Sequence, residues 1–262
     1  LPEPHHPGRC GMNLDLSPAA APATRPRRVI AHALMETRLI VRNGEQLLLA
    51  LVIPLGLIVA QAMLGPRFGI AREPFVASVI ALGLWSSGFT SPAITTAFER
   101  RYGVLERLVA TPLRRADLLA GKATMIAILA VGQAAVLTLA GLLLGWRPAP
   151  TLLQSGVTLL VVLLGLVAFA SLALCLAGTA SAELTLGLAN LVYLGGAALG
   201  ILVPVASFPA WAQPLVASLP TTAVAESLRV WAAGGVQLWP LLVVLIWAVA
   251  GLALARKVFR WI

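Results

Sequence analysis

The amino-acid sequence predicts an all-α integral membrane protein that crosses the bilayer six times. Apolar residues make up 59% of its 262 residues and charged residues only 11%, against about 45–50% and about 25% in soluble domains. Six mostly apolar stretches are each long enough to cross about 30 Å of hydrocarbon as a helix. Their apolar residues are continuous rather than alternating, which excludes the strands of a membrane barrel.

The elements follow in chain order. Residues 1–26 are rich in Pro, Ala and Arg without an apolar period, which predicts a disordered cytoplasmic tail. Residues 27–262 form one six-span domain. The predicted spans, none of which contains Asp, Glu, Lys, Arg or His, are 47–64, 76–97, 123–145, 152–178, 184–203 and 238–255.

The basic residues predict the orientation of the spans. Fifteen of the 19 Lys and Arg residues lie in the N-terminal segment, the connection between spans two and three, and the C-terminal tail. The other three connections hold only Arg67, Arg72, Arg147 and Arg229. Because cytoplasmic connections carry the excess of positive charge, both termini are expected in the cytoplasm, with the spans in the plasma (inner) membrane. This distribution also accounts for the net charge of +9 without nucleic acid.

Residues 27–46 precede the first span and predict an amphipathic helix. Its apolar stripe has near-helical spacing and consists of Ile30, Ala33, Leu34, Thr37, Ile40 and Val41. The residues largely off that stripe are Arg28, His32, Arg38 and Arg42. Such a helix is expected in the headgroup layer with its basic side in water. The alternative is an ordinary juxtamembrane helix without a partner.

The uncharged spans exclude several functions. Proton-coupled transport needs an ionisable residue inside the membrane, and catalysis needs a base or a metal with its ligands. The three histidines all precede residue 33, so no His-based metal site is expected elsewhere. No G-x-x-x-x-G-K-[ST] loop is present to hold ATP. We therefore expect no catalytic residue, metal or cofactor in this chain, and energy for any work has to come from a partner.

Residues 98–122 connect spans two and three, and nine of these 25 residues are charged. An apolar stripe of Leu105, Leu108 and Val109 predicts a short helix, which Thr111-Pro112 ends before a second helical piece. A partner would act on this segment. The alternative is a solvated loop that only satisfies the positive-inside distribution.

This segment resembles that of permeases of the ABC-2 class, the transmembrane subunits of ATP-driven exporters. The matching residues are Glu99, Arg100, Gly103, Leu105, Glu106, Leu108, Thr111, Pro112, Arg115, Leu118, Gly121 and Lys122. It departs from the family pattern at Arg101, where an acid is usual, and at Val104, where Thr is common. A second resemblance, to the family's external stretch, covers Phe208-Pro209 and the residues from Pro220 to Arg229.

The resemblance implies a larger assembly. Two separate ATPase subunits would bind ATP and Mg, and a second permease copy or paralogue would complete the path. Residues 27–46 would be an interface helix, residues 98–122 a coupling helix, and short external helices would lie between spans five and six. The implied coupling residues are Glu99, Arg100, Gly103, Leu105, Glu106, Leu108, Thr111, Pro112 and Arg115. The implied function is export of an amphipathic drug, lipid or lipid-linked glycan. The rival is a structural or assembly subunit without transport.

Polar residues inside the spans are candidates for a substrate path. Ser87, Ser91 and Thr95 recur at every fourth position of span two and share one face. Gln133 and Asn190 are the most polar groups of spans three and five. These groups either face a substrate or satisfy one another and their own helices, since an unpaired polar group in hydrocarbon is costly.

Overall fold

The computed structural model describes residues 24–42, 44–109 and 115–258, and all regular secondary structure within these ranges is helical. The all-α class is confirmed. Of the predicted tail, residues 1–23 lie outside the described residues, and Arg25 and Pro26 already belong to the first helix. The helices are α1 (Arg25–Arg42), α2 (Gly44–Leu64), α3 (Arg72–Trp85), α4 (Ser91–Arg101), α5 (Val104–Val109), α6 (Arg115–Leu143), α7 (Leu152–Thr179), α8 (Ala182–Gly196), α9 (Gln213–Ala217), α10 (Pro220–Ala232) and α11 (Trp239–Val258).

Six helical stretches of the described residues are long and apolar enough to cross a membrane, as predicted. They cover Leu51–Phe68, Arg72–Arg101, Ala116–Leu143, Leu152–Thr179, Ala182–Ile201 and Trp239–Val258. The chain is therefore a multi-pass membrane protein. One end of the bundle carries α1, α5 and the first turns of α6, and is called the α1 end. The opposite end carries α9 and α10, and is called the α10 end.

Spans two and three extend beyond their apolar stretches at the α1 end. Span two continues to Arg101, although its apolar stretch ends at Ala97. The helix of span three begins at Arg115, eight residues before the apolar stretch begins at Ala123. Helical hydrogen bonding does not require apolar side chains, so a helix passes from hydrocarbon into the polar layer without a break. As a result, Glu99 and Lys122 lie on continuous helices at the base of the bundle.

Span two contains a π-helical turn, Ser86–Thr90, between α3 and α4. The ring of Trp85, just before this turn, and the ring of Phe89, within it, stack with centroids 4.3 Å apart. Phe169 of span four meets Trp85 edge-on at 4.7 Å. Gly88 leaves room for this packing, since a Cβ there would lie 3.1 Å from the Phe169 side chain. This aromatic cluster belongs to the main hydrophobic core.

Span five does not remain helical to its end. Leu199 and Gly200 leave the helical conformation, and Gly200 has a φ of +92°, a value that favours glycine. The chain then passes through α9 and returns as α10, which is largely buried and packs against α3, α7 and α11. The α10 end is thus filled by a helix inserted between three spans.

Candidate functional site

The α1 end assembles the first part of the predicted coupling segment around a turn. Helix α4 ends at Arg101, and the amide of Tyr102 donates to the Phe98 carbonyl at 2.9 Å. Gly103 follows with a φ of +65°, the left-handed conformation that commonly ends a helix. Helix α5 starts immediately afterwards at Val104. Gly103 therefore sets the change of direction between span two and α5.

A buried ion cluster joins three helices beside this turn. Lys122 on α6 places its Nζ 2.7 Å from Glu99 Oε2 on α4 and 3.1 Å from Glu36 Oε1 on α1. The side chains of Lys122 and Glu36 are only 9% and 6% exposed, and that of Glu99 is 22% exposed. A buried charge is tolerated only with a partner. One lysine therefore compensates two carboxylates that come from helices far apart in the sequence.

His32 completes the cluster from the next turn of α1. Its Nε2 lies 3.0 Å from Glu36 Oε1, a contact distance without hydrogen-bond alignment. Burial raises the pKa of the Glu36 carboxyl, but the neighbouring His32 and the charge of Lys122 outweigh burial and hold that pKa below its ordinary value. The sequence predicts His32 on the solvent side of α1, whereas its side chain is buried because α1 turns this face towards α6.

Gly121 explains why α1 approaches α6 so closely. A Cβ at this position would overlap the His32 ring. Two arginines of α1 hold the same approach, since Arg25 Nε lies 2.7 Å and Arg28 Nη2 3.2 Å from the fully buried Asp117 carboxylate. Helix α1 and the first turns of α6 therefore form one tightly joined pair. The apolar side chains Ile30, Leu34 and Val41 of α1 stay exposed on its other side.

Two arginines at the end of span two reach the connection between α7 and α8. Arg100 donates a hydrogen bond to the Ala180 carbonyl. Arg101, which departs from the family pattern, pairs with Glu183, and both side chains are at least half exposed. An exposed pair of this kind contributes little stability. Of these two arginines, Arg100 therefore makes the more enclosed link to the next pair of spans.

The remaining coupling candidates are only partly described. Leu108 lies in α5 and is half-buried. The backbones of Leu105 and Glu106 belong to α5 and that of Arg115 to α6, but the positions of these three side chains are not described. Thr111 and Pro112 lie outside the described residues. The exposed Tyr102 and Arg107 show that the surface of this turn and of α5 is open.

The path candidates of span two satisfy part of their polarity locally. The Ser87 hydroxyl donates to the Gly83 carbonyl at 3.0 Å, and the Thr95 hydroxyl donates to the Ser91 carbonyl at 2.9 Å. Ser91 itself is half-buried. The π-helical turn between Ser87 and Ser91 also changes the angular spacing of this face.

The other two path candidates lie in different surroundings. Gln133 is buried, with its amide nitrogen packed against Gly83, so it meets span two beside the carbonyl that accepts from Ser87. Asn190 is exposed and donates to the Leu186 carbonyl of its own helix. The structure therefore places Ser87 and Gln133 each next to Gly83 and places Asn190 on the outer surface of α8.

Sequence reasoning missed the part that His32, Glu36 and Asp117 play. A signal was present, since His32 and Glu36 are spaced four apart and face the same side of a helix. Lys122, the partner of Glu36, lies 86 residues further along the chain, and Asp117 lies 92 residues from its partner Arg25. No local pattern identifies such pairs.

Comparison with known proteins identifies the family. A sequence model described as ABC-2 family transporter protein matches residues 68–256. A protein described as "Probable doxorubicin resistance ABC transporter permease protein DrrC", in two strains of Mycobacterium tuberculosis, is 30% identical over 254 residues, which cover 90% of each chain. No solved structure matches significantly. These matches extend over most of the chain and include the α4–α6 segment, and the protein therefore belongs to the ABC-2 family of transporter permeases.

Proposed function

We propose that this chain is the transmembrane permease subunit of an ATP-driven exporter, and that it moves an amphipathic substrate out across the plasma membrane. Membership of the ABC-2 family supports a permease. The doxorubicin resistance in the relatives' name favours a drug over the other two expected classes, a lipid or a lipid-linked glycan. The six apolar spans supply the membrane domain.

The buried cluster of Lys122, Glu36 and Glu99 carries the proposal. It joins helix α1, the end of span two and the start of span three at the point from which the exposed α5 projects. A force applied to α5 or α1 would therefore reach two spans directly, because breaking a buried ion pair costs more than bending an exposed loop. A link of this kind would let an ATPase outside the membrane act on spans two and three.

The proposal includes the partners of the chain. Two ATPase subunits would bind α5 and the neighbouring surface of α1, and a second permease copy or paralogue would complete the path. ATP and Mg would be bound by the ATPases, whereas this chain would bind no cofactor of its own. Membrane lipid would surround the exposed apolar side chains of the spans.

Orientation is tested by labelling single cysteines with an impermeant thiol reagent. The positions Arg27, Tyr102 and Trp211 are all exposed, so a substituted cysteine reacts without unfolding. Cysteines at Arg27 and Tyr102 should react only from the cytoplasm, and a cysteine at Trp211 only from outside. Labelling of the Tyr102 position from outside would reverse the proposed topology.

Transport is tested in inside-out vesicles that contain the chain and its ATPase. Doxorubicin should accumulate in these vesicles on addition of ATP, and it should stimulate ATP hydrolysis. The matched control carries an ATPase whose P-loop lysine is replaced, which should abolish both effects. Stable association with the ATPase without movement of any drug or lipid would favour the rival, a structural or assembly subunit.

A further inference from the structure

A buried arginine lies at the α10 end, away from the coupling cluster. Arg229 on α10 is only 7% exposed. Its Nη1 donates to Ser78 Oγ at 2.8 Å and to the Ile201 carbonyl at 2.7 Å, and its Nη2 donates to the Gly200 carbonyl at 2.8 Å. The Glu226 carboxylate, 2.7 Å from Nη2, compensates the charge. This guanidinium is therefore fully engaged inside the bundle.

The two carbonyls belong to the broken end of span five. A helix that ends inside a membrane leaves carbonyl groups without partners, which is costly in hydrocarbon. Here α10 supplies the donors, because the Thr222 hydroxyl donates to the Leu199 carbonyl at 3.2 Å while Arg229 donates to the next two. Three consecutive carbonyls of span five are thus satisfied by side chains of one neighbouring helix.

Arg229 also connects this end to span two. Ser78 on α3 accepts from Arg229 and donates to the Pro74 carbonyl of its own helix at 2.9 Å. Spans two and five are therefore held to α10 through one guanidinium. The start of α10 reaches the aromatic cluster, where Thr221 and the Trp85 indole both lie against Gly196. Helix α10 thus covers the core of the bundle from the α10 end.

We propose that Arg229 is the positioning residue that keeps α10 inserted between spans two and five and so closes the α10 end of the substrate path. This inference rests on the proposed transport function, since a closed end has a role only if a substrate has to leave there. Loss of the guanidinium removes hydrogen bonds to both spans at once. The insertion of α10 is then no longer fixed, and the residues beneath it become accessible to water.

The test measures this access with a cysteine at Ser87, which is only 6% exposed and lies two residues beyond Trp85. The full chain, with Cys10 and Cys175 replaced by Ala, is reconstituted with its ATPase in liposomes without ATP. Arg229→Gln should increase the rate of labelling by an impermeant maleimide about tenfold or more, as expected for the loss of charge-assisted hydrogen bonds. The labelling rate in Arg229→Lys should lie between the rates of the otherwise unchanged protein and of Arg229→Gln.

Two controls separate a positioning role from a general loss of structure. Thr185 is fully buried at the α1 end. A cysteine at this position should be labelled at the same rate with and without Arg229→Gln. Trp247→Phe removes one hydrogen bond at the α10 end, to the Ser218 carbonyl, and should leave labelling of the Ser87 position unchanged. Equal increases at both cysteines, or no increase at the Ser87 position, would overturn the proposal.

A milder variant keeps the test decisive if Arg229→Gln does not yield folded protein. Ser78→Ala removes the link to span two and leaves the bonds to the carbonyls of span five. Labelling of the Ser87 position should rise selectively in this variant, and an unchanged rate would refute the inference. Because the assay uses neither ATP nor a substrate, its failure is distinguishable from failure of the proposed export activity.

Discussion

Replacing Lys122 by Met tests whether the buried ion cluster joins α1 to spans two and three. Methionine has a similar length and no charge, so the substitution leaves Glu36 and Glu99 without their shared cation. Both carboxylates lie on other helices, where Glu36 is almost completely buried and Glu99 is only partly exposed to solvent. We expect the protein to be less stable and α1 to separate from α4.

The size of the effect follows from the distances. At 2.7 and 3.1 Å, and with an effective dielectric constant of about 20, each attraction amounts to about 5–6 kcal/mol. Desolvation of the lysine offsets a large part of this gain, so the net cost of removing one partner of a buried pair is about 3–5 kcal/mol. Such a loss lowers the midpoint of thermal unfolding by about 6–20 °C.

The measurement is thermal unfolding in detergent, followed by the fraction that remains monodisperse.

The sign of the pH dependence of stability adds a second test. Because the pKa of Glu36 is held below its ordinary value, wild-type stability from this group is present above the ordinary carboxylate pKa and is lost as pH falls through the lowered value. The difference between Lys122→Met and wild type should therefore shrink on acidification.

A neutralised cluster provides the matched control. Glu36→Gln and Glu99→Gln, combined with Lys122→Met, remove the buried charges together and should recover most of the stability. The triple variant should still couple ATP hydrolysis to transport poorly if the ion cluster transmits force. An unchanged midpoint in Lys122→Met alone would refute the reasoning, because it would show that the carboxylates do not depend on the lysine.

Two further predictions concern the coupling segment and its packing. Glu106→Lys should abolish transport and ATPase co-purification without loss of membrane insertion, because reversing a charge at a partly desolvated contact with the ATPase costs a few kcal/mol. The control Arg67→Glu, at an exposed position of the α10 end, should change neither transport nor co-purification. Normal association of Glu106→Lys with the ATPase would exclude α5 as the contact between the two subunits. Gly121→Ala should lower stability by about 1–3 kcal/mol because its Cβ overlaps the His32 ring. Gly132→Ala on the same helix meets nothing within 4 Å and should be neutral or stabilising in the same melting assay.

The sequence by itself determined the number of spans and the class of the fold. A span is recognised from the composition of about 20 consecutive residues, because hydrocarbon accepts only a continuous apolar helix. The family resemblance named Gly103, but the turn that Gly103 forms between α4 and α5 was found only in the structure. The predicted family membership rested on residues 98–122 and on the external stretch near residues 208–229, and it is confirmed by the comparisons.

Only the tertiary structure decided which polar groups meet. Lys122 lies 86 residues from Glu36 and 23 from Glu99, and Arg229 lies 28 residues from the carbonyl of Ile201. Hydropathy treats the four charged residues among these as charges outside a span, whereas the packed bundle buries Glu36, Lys122 and Arg229. The physical reason is that a buried charge is stable only beside its partner, and that partner is set by which helices pack together rather than by neighbours in the chain.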